Sequence, residues 1–248
     1  MGERTTYAPG TFSWAELVTS DADAAKGFYT TLFGWTYDDQ PIGEGSVYSM
    51  AAREGRTVAA LYGSGEQPPH WNCYVTVTSA DEAAAKASSL GASVLAEPFD
   101  VFTSGRMAVL SDPTGATLAV WQPGEHIGAS FVNAPGALAW NDLVTPDPEA
   151  ASAFYGELFG WSVQDVGGGY RVISNGGRSN GGMLQQDGPA AWLPYFAHEG
   201  IDDAVAQIQE LGGQLFNGPM PVPNGRFAVV SDPQGAVFAV LTSEQYDD

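Results

Sequence analysis

The 248 residues, 44% hydrophobic and 12% aromatic, can fill one large core or two of ordinary size, which argues against a disordered or fibrous chain. Nine basic residues against 29 acidic ones leave a net charge of −20, with the acidic residues spread along the chain. Such a surface repels phosphate backbones and anionic headgroups within about 8–10 Å at physiological salt, so neither nucleic acid nor a membrane is expected as a partner.

The chain has no apolar run of 18 residues and no signal-like apolar core near its start, so a cytoplasmic location is expected. Its one cysteine, Cys73, lies in the apolar stretch 71–77 and reads as a buried, inert thiol.

In chain order, residues 12–19 alternate like a half-buried strand, and Asp21 supplies an N-cap for a helix over 22–32 that Gly34 should end. Hairpin-like segments follow at 35–38, 47–53 and 57–62. The pattern then restarts with a strand at 72–78, a helix at 81–90 ending at Gly91, and strands at 93–96, 106–111 and 117–121. One copy is therefore two βαβββ units, an α+β arrangement.

From Trp140 the chain repeats itself. WAELVTSDADAAKGFYTTLFGW from Trp14 recurs as WNDLVTPDPEAASAFYGELFGW at an offset of 126, and GRMAVLSDPTGATLAV from Gly105 recurs as GRFAVVSDPQGAVFAV at 120. The second copy has matching elements at 138–145, 148–158, 161–165, 170–174 and 182–185, and residues 123–136, rich in Gly, Pro and Ala, read as a linker. The domains are expected at 1–122 and 137–248.

The paired βαβββ units, the FYxxLFGW helix end and the SDPxGAxxAV strand-turn-strand are similar to the vicinal oxygen chelate superfamily, of the glyoxalase and bleomycin-resistance type. Two-domain actinobacterial members labelled glyoxalase-like or hydroxylase resemble the chain most. The resemblance implies tandem glyoxalase-like domains and a fused pseudo-dimer, hence a monomer or at most a weak homodimer. It also implies a strand-lined cup in each domain that in metal-dependent relatives holds a divalent ion on His and Glu.

Here the implied ligand positions carry other residues. The first, normally His, falls on Trp14 and Trp140, and the last, normally Glu, falls on Ala119 and Ala239. The ligand opening the third quarter falls on Asn72 or Tyr74, and on Leu193 or Tyr195. The three histidines, His70, His126 and His198, do not repeat between the copies. No metal or other cofactor is therefore expected.

Period-two alternation puts Glu16 on the same face as Trp14, and Asp142 on the same face as Trp140. A cup lined by Trp, Tyr and one carboxylate suits a flat or partly apolar organic molecule that presents a hydrogen-bond donor or a cation. Glu16 and Asp142 are the candidate catalytic groups, as general bases, should the protein be an enzyme of lyase, isomerase or hydroxylase type. Trp14, Asn72, Tyr74, Trp121, Trp140 and Tyr195 are candidate ligand contacts. Arg106 and Arg226, repeated in GRxAV, would neutralise the cup carboxylates or anchor an anion, or equally form purely structural salt bridges. Because Trp121 faces Leu241 and Asn72 faces Leu193 between copies, the first cup is the expected functional one. The alternative is that the inward rings simply fill the barrel and that Glu16 pairs with Arg106.

Overall fold

The computed structural model describes residues 2–43, 45–65 and 67–243; Met1 and residues 244–248, at the outer ends of the two expected domains, lie outside them. The first half contains β1 (Phe12–Thr19), α1 (Ala22–Phe33), β2 (Thr36–Gly43), β3 (Ser46–Arg53), β4 (Arg56–Gly63), β5 (His70–Thr76), α2 (Ala80–Ser89), β6 (Ser93–Val101), β7 (Gly105–Ser111) and β8 (Thr117–Pro123). The second half repeats this order as β9 (Leu138–Thr145), α3 (Pro148–Phe159), β10 (Ser162–Gly167), β11 (Tyr170–Asn175), β12 (Arg178–Gln185), β13 (Ala191–Ala197), α4 (Ile201–Glu210), β14 (Gln214–Val222), β15 (Gly225–Ser231) and β16 (Val237–Ser243).

Local signals explain the helices. Asp21 and Asp147 accept from the backbone N–H of Ala24 and Ala150, satisfying donors that the first turn leaves open. Gly34 and Gly160 end α1 and α3 at φ of 68° and 76°, a left-handed cap that costs glycine little.

Each half forms one eight-stranded sheet, ordered β2-β3-β4-β1-β5-β8-β7-β6 and β10-β11-β12-β9-β13-β16-β15-β14. Its two βαβββ units meet at an antiparallel pair, β1 with β5 and β9 with β13, while β1 and β4 run parallel. Side chains alternate along β8: Ala119 and Trp121 face the cup, whereas Leu118 and Val120 pack outside with Ala84 and Ala87 of α2.

The two sheets share their outer cores. Phe28, Tyr29 and Phe33 of α1 pack with Ile201, Val205 and Ile208 of α4 and with Phe196 and Phe238, and reciprocally α2 packs beside Tyr155, Trp161 and Trp192. The repeated motifs close this seam. Tyr29 Oη donates to Asp232 Oδ2 at 3.0 Å, and Tyr155 Oη donates to Asp112 Oδ2 at 2.8 Å. Trp35 and Trp161 donate their indole N–H to the carbonyls of Gly136 and Gly10, both at 2.7 Å. Each SDPxG aspartate also fastens its own turn, Asp232 Oδ1 accepting from the N–H of Gln234, Gly235 and Ala236. The FY, GW and DPxG residues thus hold the two halves together, and each fully buried aromatic adds roughly 1.5–3 kcal/mol of apolar burial.

Candidate functional site

The inner faces of the sheets carry two equivalent constellations. In the first cup Glu16 is 8% exposed and accepts from Tyr48 Oη at 2.8 Å, Tyr74 Oη at 3.0 Å and Asn72 Nδ2 at 3.5 Å. Trp14 Nε1 donates to Tyr48 Oη at 3.2 Å. In the second, Asp142 is 7% exposed; its Oδ1 accepts from Trp140 Nε1 and Tyr170 Oη, both at 2.8 Å, and its Oδ2 from Tyr195 Oη at 2.6 Å. Burial holds both carboxyl groups above the ordinary carboxylate range, and the tyrosine hydrogen bonds offset part of that.

The positions of these groups follow from strand register. Trp14 stands opposite Tyr74 and Glu16 opposite Asn72 across β1 and β5; Trp140 stands opposite Tyr195 and Asp142 opposite Leu193 across β9 and β13. On the parallel neighbour, Glu16 faces Ala60 and Asp142 faces Gly182. A Cβ at Gly182 would overlap both the Tyr170 hydroxyl and Asp142 Oδ1, so glycine makes room for the shorter acid and its tyrosine.

The cups differ in what fills them. In the first, Trp14, Tyr74, Ala119 and Trp121 pack against Ala129 and Val132 of the 123–136 segment, with Tyr7 alongside. The His126 ring meets Trp14 edge-on at 4.6 Å between centroids, and Trp121 Nε1 donates to the His126 carbonyl at 2.9 Å. Tyr7 Oη closes the plug on the Ala129 carbonyl at 2.6 Å. Burial pushes His126 down to about 4, and its Nε2 is buried without a hydrogen-bond partner. Trp14, Glu16, Tyr74 and Trp121, the residues expected to line the first cup, do converge, and the chain's own linker packs among them, as in the expected alternative of a filled barrel.

The second cup is open. A cavity of about 1440 Å³ is walled by Trp140, Asp142, Tyr170, Tyr195, Phe227 and Leu241, among others. Most of its remaining wall is apolar, and among the described residues it contains no Lys or Arg and no carboxylate besides Asp142.

Neither arginine reaches a cup, so of the two expected roles for Arg106 and Arg226 the structure shows the salt bridge and not the cup contact. Arg106 binds Asp81 at 2.7 Å and Asp100 at 2.9 Å, and Arg226 binds Asp202 at 2.7 Å, all at the exposed outer side. The reason is parity: in β7, Met107 opposite Trp121 turns inward, so Arg106 opposite Gln122 turns out.

Sequence reasoning missed Tyr48 and Tyr170. They correspond at an offset of 122, inside the hairpins where the copies lose their alignment, so only that coincidence could have flagged them.

The donor set does not suit a divalent metal. The positions that would supply imidazole and a second carboxylate hold Trp, Tyr and Ala, each cup has one carboxylate already saturated on at least one oxygen, and no group of three His, Cys, Asp or Glu able to hold an ion occurs among the described residues. What the second cup can do is present a desolvated carboxylate to a ligand donor. Of about four lone-pair positions on a carboxylate, three are used, and one on Oδ2 remains.

Residues 11–120 match the family model of the glyoxalase/bleomycin resistance protein/dioxygenase superfamily, and residues 140–241 match that of the glyoxalase-like domain. A putative glyoxylase, CFP32, of Mycobacterium tuberculosis is 43% identical over 97% of this chain and 98% of its own. The anthracycline biosynthesis protein DnrV of Streptomyces peucetius is 34% identical over 96% of this chain and 94% of its own. Among solved structures, the Mn(II)-bound glyoxalase of Novosphingobium aromaticivorans superposes with a TM-score of 0.70 at 17% identity, covering 100% of this chain and 85% of that one, a likeness of fold alone. With tandem matches over both halves and full-length relatives of this identity, the chain belongs to the glyoxalase/bleomycin resistance protein/dioxygenase superfamily.

Proposed function

We propose that this protein binds a bulky, flat, largely apolar organic molecule in the second cup, without a metal, and that Asp142 receives a hydroxyl, amine or N–H of that molecule. The observation that carries the reading is the cavity of about 1440 Å³ whose only carboxylate among the described residues is the buried Asp142. Trp140, Tyr195 and Phe227 offer ring faces and edges for an aromatic body. A ligand bearing phosphate or several carboxylates would find no Lys or Arg among the described residues of the wall. The Streptomyces relatives named for anthracycline biosynthesis favour a polycyclic aromatic of this kind. Because the two halves already bury each other's helices, we propose that the chain acts as a monomer.

A second reading is supported by one observation. Burial raises the Asp142 carboxyl, and a carboxylate so raised is a better base toward a bound substrate's acidic C–H or O–H. Binding and proton transfer both need the same group. Titration of the wild-type protein with 1,2-dihydroxyanthraquinone, followed by quenching of tryptophan fluorescence, tests binding: saturable, one-to-one quenching that Asp142→Asn weakens supports the reading, and its absence refutes it. Release of a substrate proton into solvent deuterium that Asp142→Asn abolishes would favour the enzymatic version.

A further inference from the structure

The cavity is larger than the roughly 300–1,000 Å³ of an ordinary ligand pocket, and its wall crosses between the repeats. Ala191, Leu193 and Val237 of the second domain line it, and so do the residues at the same three positions of the first, His70, Asn72 and Thr117. A cavity walled by both copies of the same positions straddles the pseudo-twofold axis. One of its sides is therefore apolar and the other polar at matching places.

The polar side is pre-set. His70 Nδ1 lies 2.8 Å from the Pro68 carbonyl, which can only accept, so in the neutral ring Nδ1 carries the proton and Nε2 is left as an acceptor. Asn72 directs its amide N–H toward Glu16 Oε1, leaving its carbonyl oxygen as a second acceptor. Thr117 adds a hydroxyl that donates or accepts.

We propose that His70, Asn72 and Thr117 form a second subsite that holds a hydroxyl-rich arm of the same molecule whose aromatic body lies beside Asp142. The ligand is then two-part: a flat apolar body and a hydrogen-bonding substituent reaching across the domain seam. This rests on the second cup being the aromatic site, and the experiment separates the two claims.

Fluorescence titrations compare 1,2-dihydroxyanthraquinone with its 2-O-glucoside. The test variant carries His70→Ala, Asn72→Leu and Thr117→Val, each installing the residue of the other copy at a position that is at most partly buried. The glucoside is expected to bind the wild type about tenfold more tightly than the aglycone, as two net hydrogen bonds would give. The triple variant should bind both about equally, with the aglycone affinity of the wild type. Equal binding of both compounds by the wild type, or an advantage that survives in the variant, overturns the subsite. Should the triple variant fail to fold, His70→Ala alone must still lose part of the glucoside advantage. Failure of the aglycone to bind the wild type brings down the cup itself, and the subsite with it.

Discussion

The packing around Asp142 makes Gly182→Ala a sharp perturbation. The new methyl would overlap Tyr170 Oη and Asp142 Oδ1, and the phenol must move by more than an ångström to restore van der Waals contact. Tyr170 borders the open cavity and can swing toward it, which keeps the steric part near the lower end of the roughly 1–3 kcal/mol usual for overpacking. In moving, it gives up its bond to the buried carboxylate at 2.8 Å and the one it accepts from Trp140 at 3.0 Å. A lost hydrogen bond to a charged group adds roughly 1.5–3 kcal/mol, so the total should be about 3 kcal/mol. For a chain of this length that lowers the melting temperature by about 6–12 °C. Calorimetry with urea unfolding reads the loss, and anthraquinone affinity should fall with it. A variant within about 0.5 kcal/mol of wild type would refute the reasoning, because it would mean that Tyr170 and Asp142 do not hold the relation described.

Other expectations follow from the same contacts. Tyr155→Phe removes the donor to Asp112 across the seam and the acceptor of Trp192 Nε1 within its own half, and should cost about 2–3 kcal/mol with ligand affinity little changed; an unfolding transition like the wild type's would count against the seam. Burial raises the folded-state values of Glu16, Asp142 and Asp232, so the folded chain holds protons that the unfolded chain has released, and stability falls as pH rises from about 4 through those folded values. Asp142→Asn should make that decline shallower, and an unchanged slope would show that Asp142 does not contribute to it. Arg106→Ala and Arg226→Ala break exposed ion pairs and, for Arg106, one hydrogen bond to the Pro98 carbonyl, all away from the cups, so melting temperature should fall by no more than a few degrees and anthraquinone affinity should stay close to wild type; a large loss of affinity would return the arginines to the site.

How far the sequence reached depended on which physical constraint each residue obeys. The 126- and 120-residue offsets, the Asp caps and the Gly stops are local or self-similar signals, and they appear where expected. Strand alternation likewise put Glu16 with Trp14 and Asp142 with Trp140 on the cup faces. Parity would also have turned Arg106 outward, had the repetition of GRxAV not suggested a role in the cup. Composition identified 123–136 as irregular chain, but where an irregular segment lies is a tertiary matter, and it lies in the first cup with His126 against Trp14. The richer aromatic lining of that cup was therefore a sign of internal packing. Leu241, which lines the open second cup where the first has Trp121, looked in sequence like a loss of capacity.

That contrast supplies the most direct test of the account, the anthraquinone affinity of two variants measured side by side. Leu241→Trp installs in the second cup the ring that Trp121 contributes to the first, and Tyr48→Phe removes a hydrogen bond to Glu16 within the plugged cup while leaving the second untouched. Filling the second cup should weaken binding by at least about tenfold, with the fold intact by circular dichroism, and the Tyr48→Phe protein should bind like wild type. Undiminished binding by Leu241→Trp, together with a loss in Tyr48→Phe, would place the ligand in the first cup and contradict the account.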